Sequence, residues 1–221
     1  MKSATKFVTF DGPFRMHRPG ALESPTLAYE TWGELNEAKD NGILILAGLS
    51  PSAHAASSVE DPTPGWWEDM IGSGLPFDTD RYFVICVNSL GSCFGSTGPA
   101  SVDPLTGERY RMNFPMLTLE DVAESAWLVV RHLGIEQLES VVGCSMGGMT
   151  GLALCARHPE STRSFVSISS ATRALPFSIA VRSLQREMIR SDPKWIHGNY
   201  DPDDAPMTGQ RMARKLGMIT Y

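Results

Sequence analysis

Two runs of this chain are apolar almost throughout, Gly42–Leu46 and Tyr82–Val87. A strand without in-and-out alternation must be covered on both faces, which is the situation inside a parallel sheet. Leu138–Val142 and Ser164–Ile168 follow as a third and a fourth such strand, and Phe7–Phe10 with Leu27–Thr31 read as an antiparallel edge. Helices are predicted between them. Over Leu119–Leu133, apolar side chains recur at Leu119, Val122, Ala123, Ala126, Trp127 and Val130, after the N-cap candidate Thr118 and before the stop signal Gly134. A second helix runs from Met146 to His158 and ends before Pro159. Strands alternating with helices imply right-handed βαβ units, hence an α/β fold with a mostly parallel sheet. Beyond Ala171 the pattern changes to two helices, Phe177–Arg190 and Gly209–Thr220, joined by an Asp- and Pro-rich link. The chain therefore divides into a core over 1–171 and the start of a helical cap over 172–221, with the final part of the fold expected after the last residue.

Composition narrows the function classes. The 221 residues are 42% hydrophobic and 20% charged, with a formal net charge of -6. A net-acidic chain is no general binder of nucleic-acid backbones, although a local basic pocket for an anionic ligand is compatible with it. No secretory signal and no apolar stretch of bilayer length is apparent. Cys86, Cys93, Cys144 and Cys155 have neither zinc-site nor disulfide-framework spacing. They read as reduced thiols in a cytoplasmic protein, with no metal, no nucleic acid and no membrane as partner.

The strongest chemical motif is Gly143-Cys144-Ser145-Met146-Gly147, a G-x-S-x-G between a predicted strand and a predicted helix. That context marks the nucleophile elbow of the α/β-hydrolase fold. The turn must be sharp, so small residues flank it. It lifts the Ser145 hydroxyl above the sheet at the positive end of the next helix, where the Met146 N–H can meet an oxyanion. Cys144 reads as a packing residue. A serine nucleophile requires a histidine oriented by a carboxylate, following it in this fold. His17, His54 and His132 precede Ser145, His158 closes the helix that Ser145 opens, and His197 lies in the cap. An improvised pair of Asp192 and His197 is the weaker alternative. The triad Asp and His are expected beyond Tyr221.

Several further segments resemble the homoserine and serine O-acyltransferases: Tyr29-Glu30-Thr31-Trp32-Gly33, Gly65-Trp66-Trp67, Ile71-Gly72, Asp78–Cys86, Asn88–Pro99, the elbow, Arg214 and Thr220-Tyr221. Within that resemblance Ser145 corresponds to the nucleophile, and Arg214 to an arginine that holds the amino-acid carboxylate. Gly48-Leu49-Ser50-Pro51, followed by Ser52-Ala53-His54, stands where the family usually has Ala-Leu-Thr-Gly. The Leu49 N–H is the expected second oxyanion donor. Pro51 stiffens the loop and fills space beside it, which favours L-serine over the longer homoserine, as in the serine O-succinyltransferase branch. Arg182, on the first cap helix, is a candidate partner for the carboxylate of a succinyl group. The resemblance implies transfer from succinyl-CoA to L-serine by a ping-pong acyl-Ser145 route, in cysteine biosynthesis, by a homodimer without a bound cofactor. The alternatives are a homoserine O-acetyl- or O-succinyltransferase, an esterase, or an inactive scaffold.

Overall fold

The computed structural model describes residues 4–220. Its strands are β1 (Lys6–Thr9), β2 (Pro13–Arg15), β3 (Ala21–Glu23), β4 (Thr26–Trp32), β5 (Gly42–Leu46), β6 (Ile71–Gly72), β7 (Phe77–Asp78), β8 (Phe83–Val87), β9 (Ser140–Cys144) and β10 (Phe165–Ile168). The α-helices are α1 (Leu119–His132), α2 (Met146–Arg157), α3 (Pro176–Arg190) and α4 (Met207–Ile219). Six strands form the main sheet in the order β1-β4-β8-β5-β9-β10. The β1–β4 and β4–β8 pairs are antiparallel, and the other three are parallel. The apolar runs β5 and β8 occupy the middle, buried at every position.

Pleating separates two cores. Leu44, Leu46, Ile85 and Val87 meet Ala123, Ala126, Trp127, Val130 and Leu154 of α1 and α2 on one face. On the other, Ile45, Val84 and Cys86 meet Ala55, Ala56 and Ile71, with Trp66, Trp67 and Phe77 packed outside them. The second face is therefore roofed by an aromatic loop segment instead of a helix. The α1 N-terminus is closed by a capping box: Thr118 Oγ1 accepts from Asp121 N, and Asp121 Oδ2 accepts from Thr118 N at 2.7 Å.

Three features differ from expectation. The third strand starts two residues late, at Ser140. Leu138 N donates to Ser161 O at 2.7 Å, and its contact with Thr162 is an isolated bridge below the strand. The short hairpin β2–β3 and the pair β6–β7 lack an apolar pattern and were not predicted. The chain forms two compact units. One holds the sheet, up to Tyr110 together with Phe114–Thr172; the other holds Arg111–Asn113 with the segment from Arg173 onward, including the hairpin of α3 and α4.

Candidate active site

β9 passes into α2 through Ser145, whose backbone lies at φ 55, ψ -118. A non-glycine residue reaches that region only when its surroundings force it. Three glycines supply the force. A Cβ on Gly143 would lie 2.3 Å from the Gly147 carbonyl oxygen, one on Gly147 1.9 Å from Leu46 O, and one on Gly148 2.6 Å from the Ser170 side chain. The backbone of α2 thus lies directly against the end of β5. The strained turn is then tied down: Ser145 N donates to Ile168 O at 2.9 Å, and Ser170 Oγ donates to Ser145 O at 2.8 Å.

The Ser145 side chain is left exposed at the N-terminus of α2. The Gly48–Pro51 loop continues from β5 beside it, so close that a Cβ on Gly48 would sit 3.9 Å from Ser145 Cβ. Among the described residues, neither the Met146 N–H nor the Leu49 N–H has a hydrogen-bond acceptor. An exposed hydroxyl beside unspent backbone donors is the arrangement that can hold a tetrahedral oxyanion. Cys144 is half-buried, and burial pushes its thiol up, away from the reactive thiolate.

Three of the five histidines have ring contacts away from Ser145. His158 Nε2 lies 3.0 Å from Glu124, His132 stacks edge-on to Phe10, and His54 pairs with Glu30 at 2.9 Å. Among the described residues no histidine is hydrogen-bonded to Ser145. For the Asp192–His197 alternative, Asp192 accepts from Lys194 N at 3.0 Å and from Gly209 N at 2.8 Å, and among the described residues it makes no bond to His197. The expected triad Asp and His lie outside the described residues.

Ser145, Met146, Gly48, Leu49, Ser50 and Pro51 come together in the first unit. Arg182 and Arg214 belong to the second. Arg182 donates to Gln185 Oε1 at 2.7 Å, and Gln185 donates to Ala213 O at 2.9 Å, linking α3 to the residue before Arg214. Arg214 is exposed and forms no ion pair among the described residues. Sequence reasoning missed the pairing of buried Glu30 with the partly buried His54; a carboxylate inside the apolar strand β4 was the available signal. Among the described residues no cluster of His, Cys, Asp and Glu could hold a metal ion, and no helix is long and apolar enough to cross a membrane.

The model of the α/β-hydrolase fold family matches residues 43–221. This chain belongs to that family. It is 62% identical over 218 residues to an L-serine/homoserine O-acetyltransferase of Streptomyces lavendulae, covering 99% of this chain and 58% of that protein. It is 58% identical over 219 residues to a serine O-succinyltransferase of Xanthomonas campestris, covering 99% and 58%. Among solved structures, homoserine O-acetyltransferase from Bacillus anthracis superposes with a TM-score of 0.89 at 31% identity, covering 98% of this chain and 60% of the other. Esterase E22 superposes almost as well, with a TM-score of 0.88 at 30% identity and coverages of 96% and 60%. The chain thus spans about 58–60% of the length of these proteins. The resemblance to the serine and homoserine O-acyltransferases holds along nearly the whole chain.

Proposed function

We propose that the protein carrying this segment transfers a succinyl group from succinyl-CoA to the side-chain hydroxyl of L-serine. The observation that carries the chemistry is the strained, exposed Ser145 beside the Gly48–Pro51 loop, with two backbone N–H groups unspent. Ser145 Oγ attacks the thioester carbonyl while a base takes its proton. The Met146 and Leu49 N–H groups hold the oxyanion, the C–S bond breaks and the CoA thiol leaves. The serine hydroxyl then attacks the acyl-Ser145 ester, returning the proton to Ser145 and releasing O-succinyl-L-serine. That product is an activated precursor suited to cysteine synthesis. Base and orienting carboxylate are assigned to residues outside the described range, and no bound cofactor is required. A cytoplasmic homodimer is the proposed setting.

The acceptor reading is supported by serine in the names of both close relatives. The donor is supported by Arg182, whose guanidinium is suited to a succinyl carboxylate. The helices α3 and α4 together carry Arg182, Arg186, Arg190, Arg211, Arg214 and Lys215 against the single carboxylate Glu187, which suits a donor bearing phosphates. Arg214 would grip the amino-acid carboxylate. A second reading, acetyl transfer to serine or homoserine, is favoured by the 62% identical relative.

Intact-protein mass after incubation with each acyl-CoA tests this on a chain extended to its relatives' length. A succinyl adduct on Ser145, absent from Ser145→Ala and consumed by L-serine, is expected. An adduct on Cys144, or acetylation alone, overturns the corresponding part. Arg182→Gln should lower kcat/KM for succinyl-CoA ten- to a hundredfold, the ~1.5–3 kcal/mol of a charged hydrogen bond, and spare acetyl-CoA. Equal losses with both donors would make Arg182 a support of the α3–α4 hairpin.

A further inference from the structure

Two motifs of the resemblance, Tyr29–Gly33 and Gly65–Trp67, have no part in the chemistry above, yet both converge on the chain that follows the Gly48–Pro51 loop. Trp66 Nε1 donates to Ser52 O at 2.9 Å, and Trp67 N donates to Ala55 O at 2.8 Å. Trp32 Nε1 donates to Ser57 O at 3.0 Å. Gly65 lies so close that a Cβ on it would be 2.2 Å from the Ala55 carbonyl. At the centre of this anchor is His54. Its Nδ1 lies 2.9 Å from Glu30 Oε2, and its Nε2 lies 2.8 Å from Thr63 O.

Proton counting constrains this contact. Thr63 O can only accept, and Thr63 Oγ1, 3.2 Å from Nε2, already donates to Asp61. Nε2 therefore carries a hydrogen. Glu30 is 2% exposed and also accepts from Thr5 Oγ1 at 2.8 Å. A bond between Nδ1 and Glu30 then needs one more proton, on the ring or on the carboxyl. Without it, a buried carboxylate would face an imidazole lone pair and both would repel.

We infer that Glu30 and His54 are positioning residues: by sharing one proton they hold the Ser52–Ser57 anchor, and through it the Gly48–Pro51 loop beside Ser145, so that acylation weakens when that proton is lost. This rests on the acyl-transfer reading only for its catalytic consequence.

The surrounding charges agree. Burial disfavours the charged ring, but the bonds to Glu30 and Thr63, with the fields of Glu30 and Asp61, outweigh it and raise His54 above its ordinary 6.5. Asp61 stays anionic, lowered chiefly by its bonds with Thr63. Glu68 is lowered by bonds from Ser57 and Gly65, and the Cys86 thiol on β8 is pushed up by burial and by Glu30. A raised folded value gives stabilisation that is complete below 6.5 and is lost as pH rises through that folded value. The effect thus falls on the alkaline side, whereas a triad histidine acting as base governs the acid side.

The test uses the protein extended to its relatives' length. Single-turnover acylation by succinyl-CoA is followed from about pH 6 to about pH 10, together with the 15N shifts of the His54 ring and the amide shifts of Leu49 and Ser50. In the wild type the ring and the loop amides should titrate together with an alkaline fall in acylation. In Glu30→Gln the amide can donate to Nδ1 of a neutral ring. Both ring bonds survive without the shared proton, so near-neutral acylation should persist and the alkaline fall should vanish. His54→Ala should slow acylation by about tenfold or more, short of the ~100- to 1,000-fold cost of deleting an oxyanion donor, and should abolish the alkaline fall as well. An unchanged alkaline fall in Glu30→Gln, or loop amides indifferent to the ring titration, overturns the inference. A wild type that never acylates would sink the acyl-transfer reading, and the ring and loop titration would still decide on the pair.

Discussion

At Gly147 a single carbon decides whether the elbow can form. The site has an ordinary φ, so glycine is not needed there for backbone freedom. It is needed because a methyl group would enter the Leu46 carbonyl at 1.9 Å and Ala47 O at 2.7 Å. Neither neighbour is a side chain that could rotate away; relief requires α2 and β5 to separate. Gly147→Ala should therefore cost at least the ~1–3 kcal/mol usual for overpacking, seen as a lower urea midpoint at an unchanged slope. It should also weaken acylation, because the separation moves the Gly48 loop away from Ser145. A variant as stable as the wild type would mean that the contact relaxes without moving α2. Ser145 and Gly147 are thus distinguishable by experiment: Ser145→Ala should remove chemistry and leave stability nearly intact.

At the scale of elements, the Gly48–Pro51 loop is proposed to choose the acceptor. It leaves β5 against the elbow, and Leu49 would supply an oxyanion donor, so its shape bears on where the acceptor hydroxyl sits. Pro51 fixes its own φ and puts ring atoms 3.9 Å from the position of a Cβ on Gly48, tightening the turn. Changing Ser50 and Pro51 to Thr and Gly should shift kcat/KM from L-serine toward L-homoserine. One methylene is worth ~1–3 kcal/mol, so a shift of roughly 10- to 200-fold is the ceiling. Initial rates with both acceptors check this; equal slowing would remove the loop as the determinant. The loop could be picked out only because the resemblance aligns Gly48–Pro51 with the family's Ala-Leu-Thr-Gly. The residues themselves showed β5, β8, α1 and the elbow, whose signals are local: apolar continuity, helical periodicity, and small residues around a serine. What holds the loop could not be read this way. Glu30 and His54 are 24 residues apart. Their meeting depends on the β4–β8 register, which sets Glu30 opposite Cys86 on the face roofed by the tryptophans. Leu138 misled for the opposite reason: it looks like strand, but its backbone is spent on Ser161.

At the scale of the molecule, the two units are stabilised very differently. In the first, β5 and β8 are buried at every residue, and eight of the fourteen residues of α1 are buried. In the second, α3 buries only Val181, and α4 only Gly209 and Ala213. The helices hold each other through backbone approach at Gly209, where a Cβ would meet Met188 O at 2.4 Å, and through the Gln185 bond to Ala213. Large apolar side chains remain open on them, among them Phe177 at 72% exposure, Met218 at 74% and Ile219 at 79%. Opening free energy follows the burial of apolar surface and the shielding of backbone hydrogen bonds, so the two units should open separately. Hydrogen exchange read by mass spectrometry on residues 1–221 should show α3 and α4 exchanging first, at low denaturant. Peptides from β5, β8 and β9 should exchange last and together, at the global unfolding free energy. The Gly48–Ser57 segment distinguishes this from simple exposure. Leu49 is 62% exposed, yet the chain from Ser52 to Ser57 is bonded to Trp32, Trp66, Trp67 and Glu68. Amides in that anchor should therefore follow the sheet and not the hairpin, and should lose protection in His54→Ala while β9 keeps its own. Uniform exchange across both units would refute their separate opening, and an anchor that exchanges with α3 and α4 would remove the physical basis for a fixed loop beside Ser145.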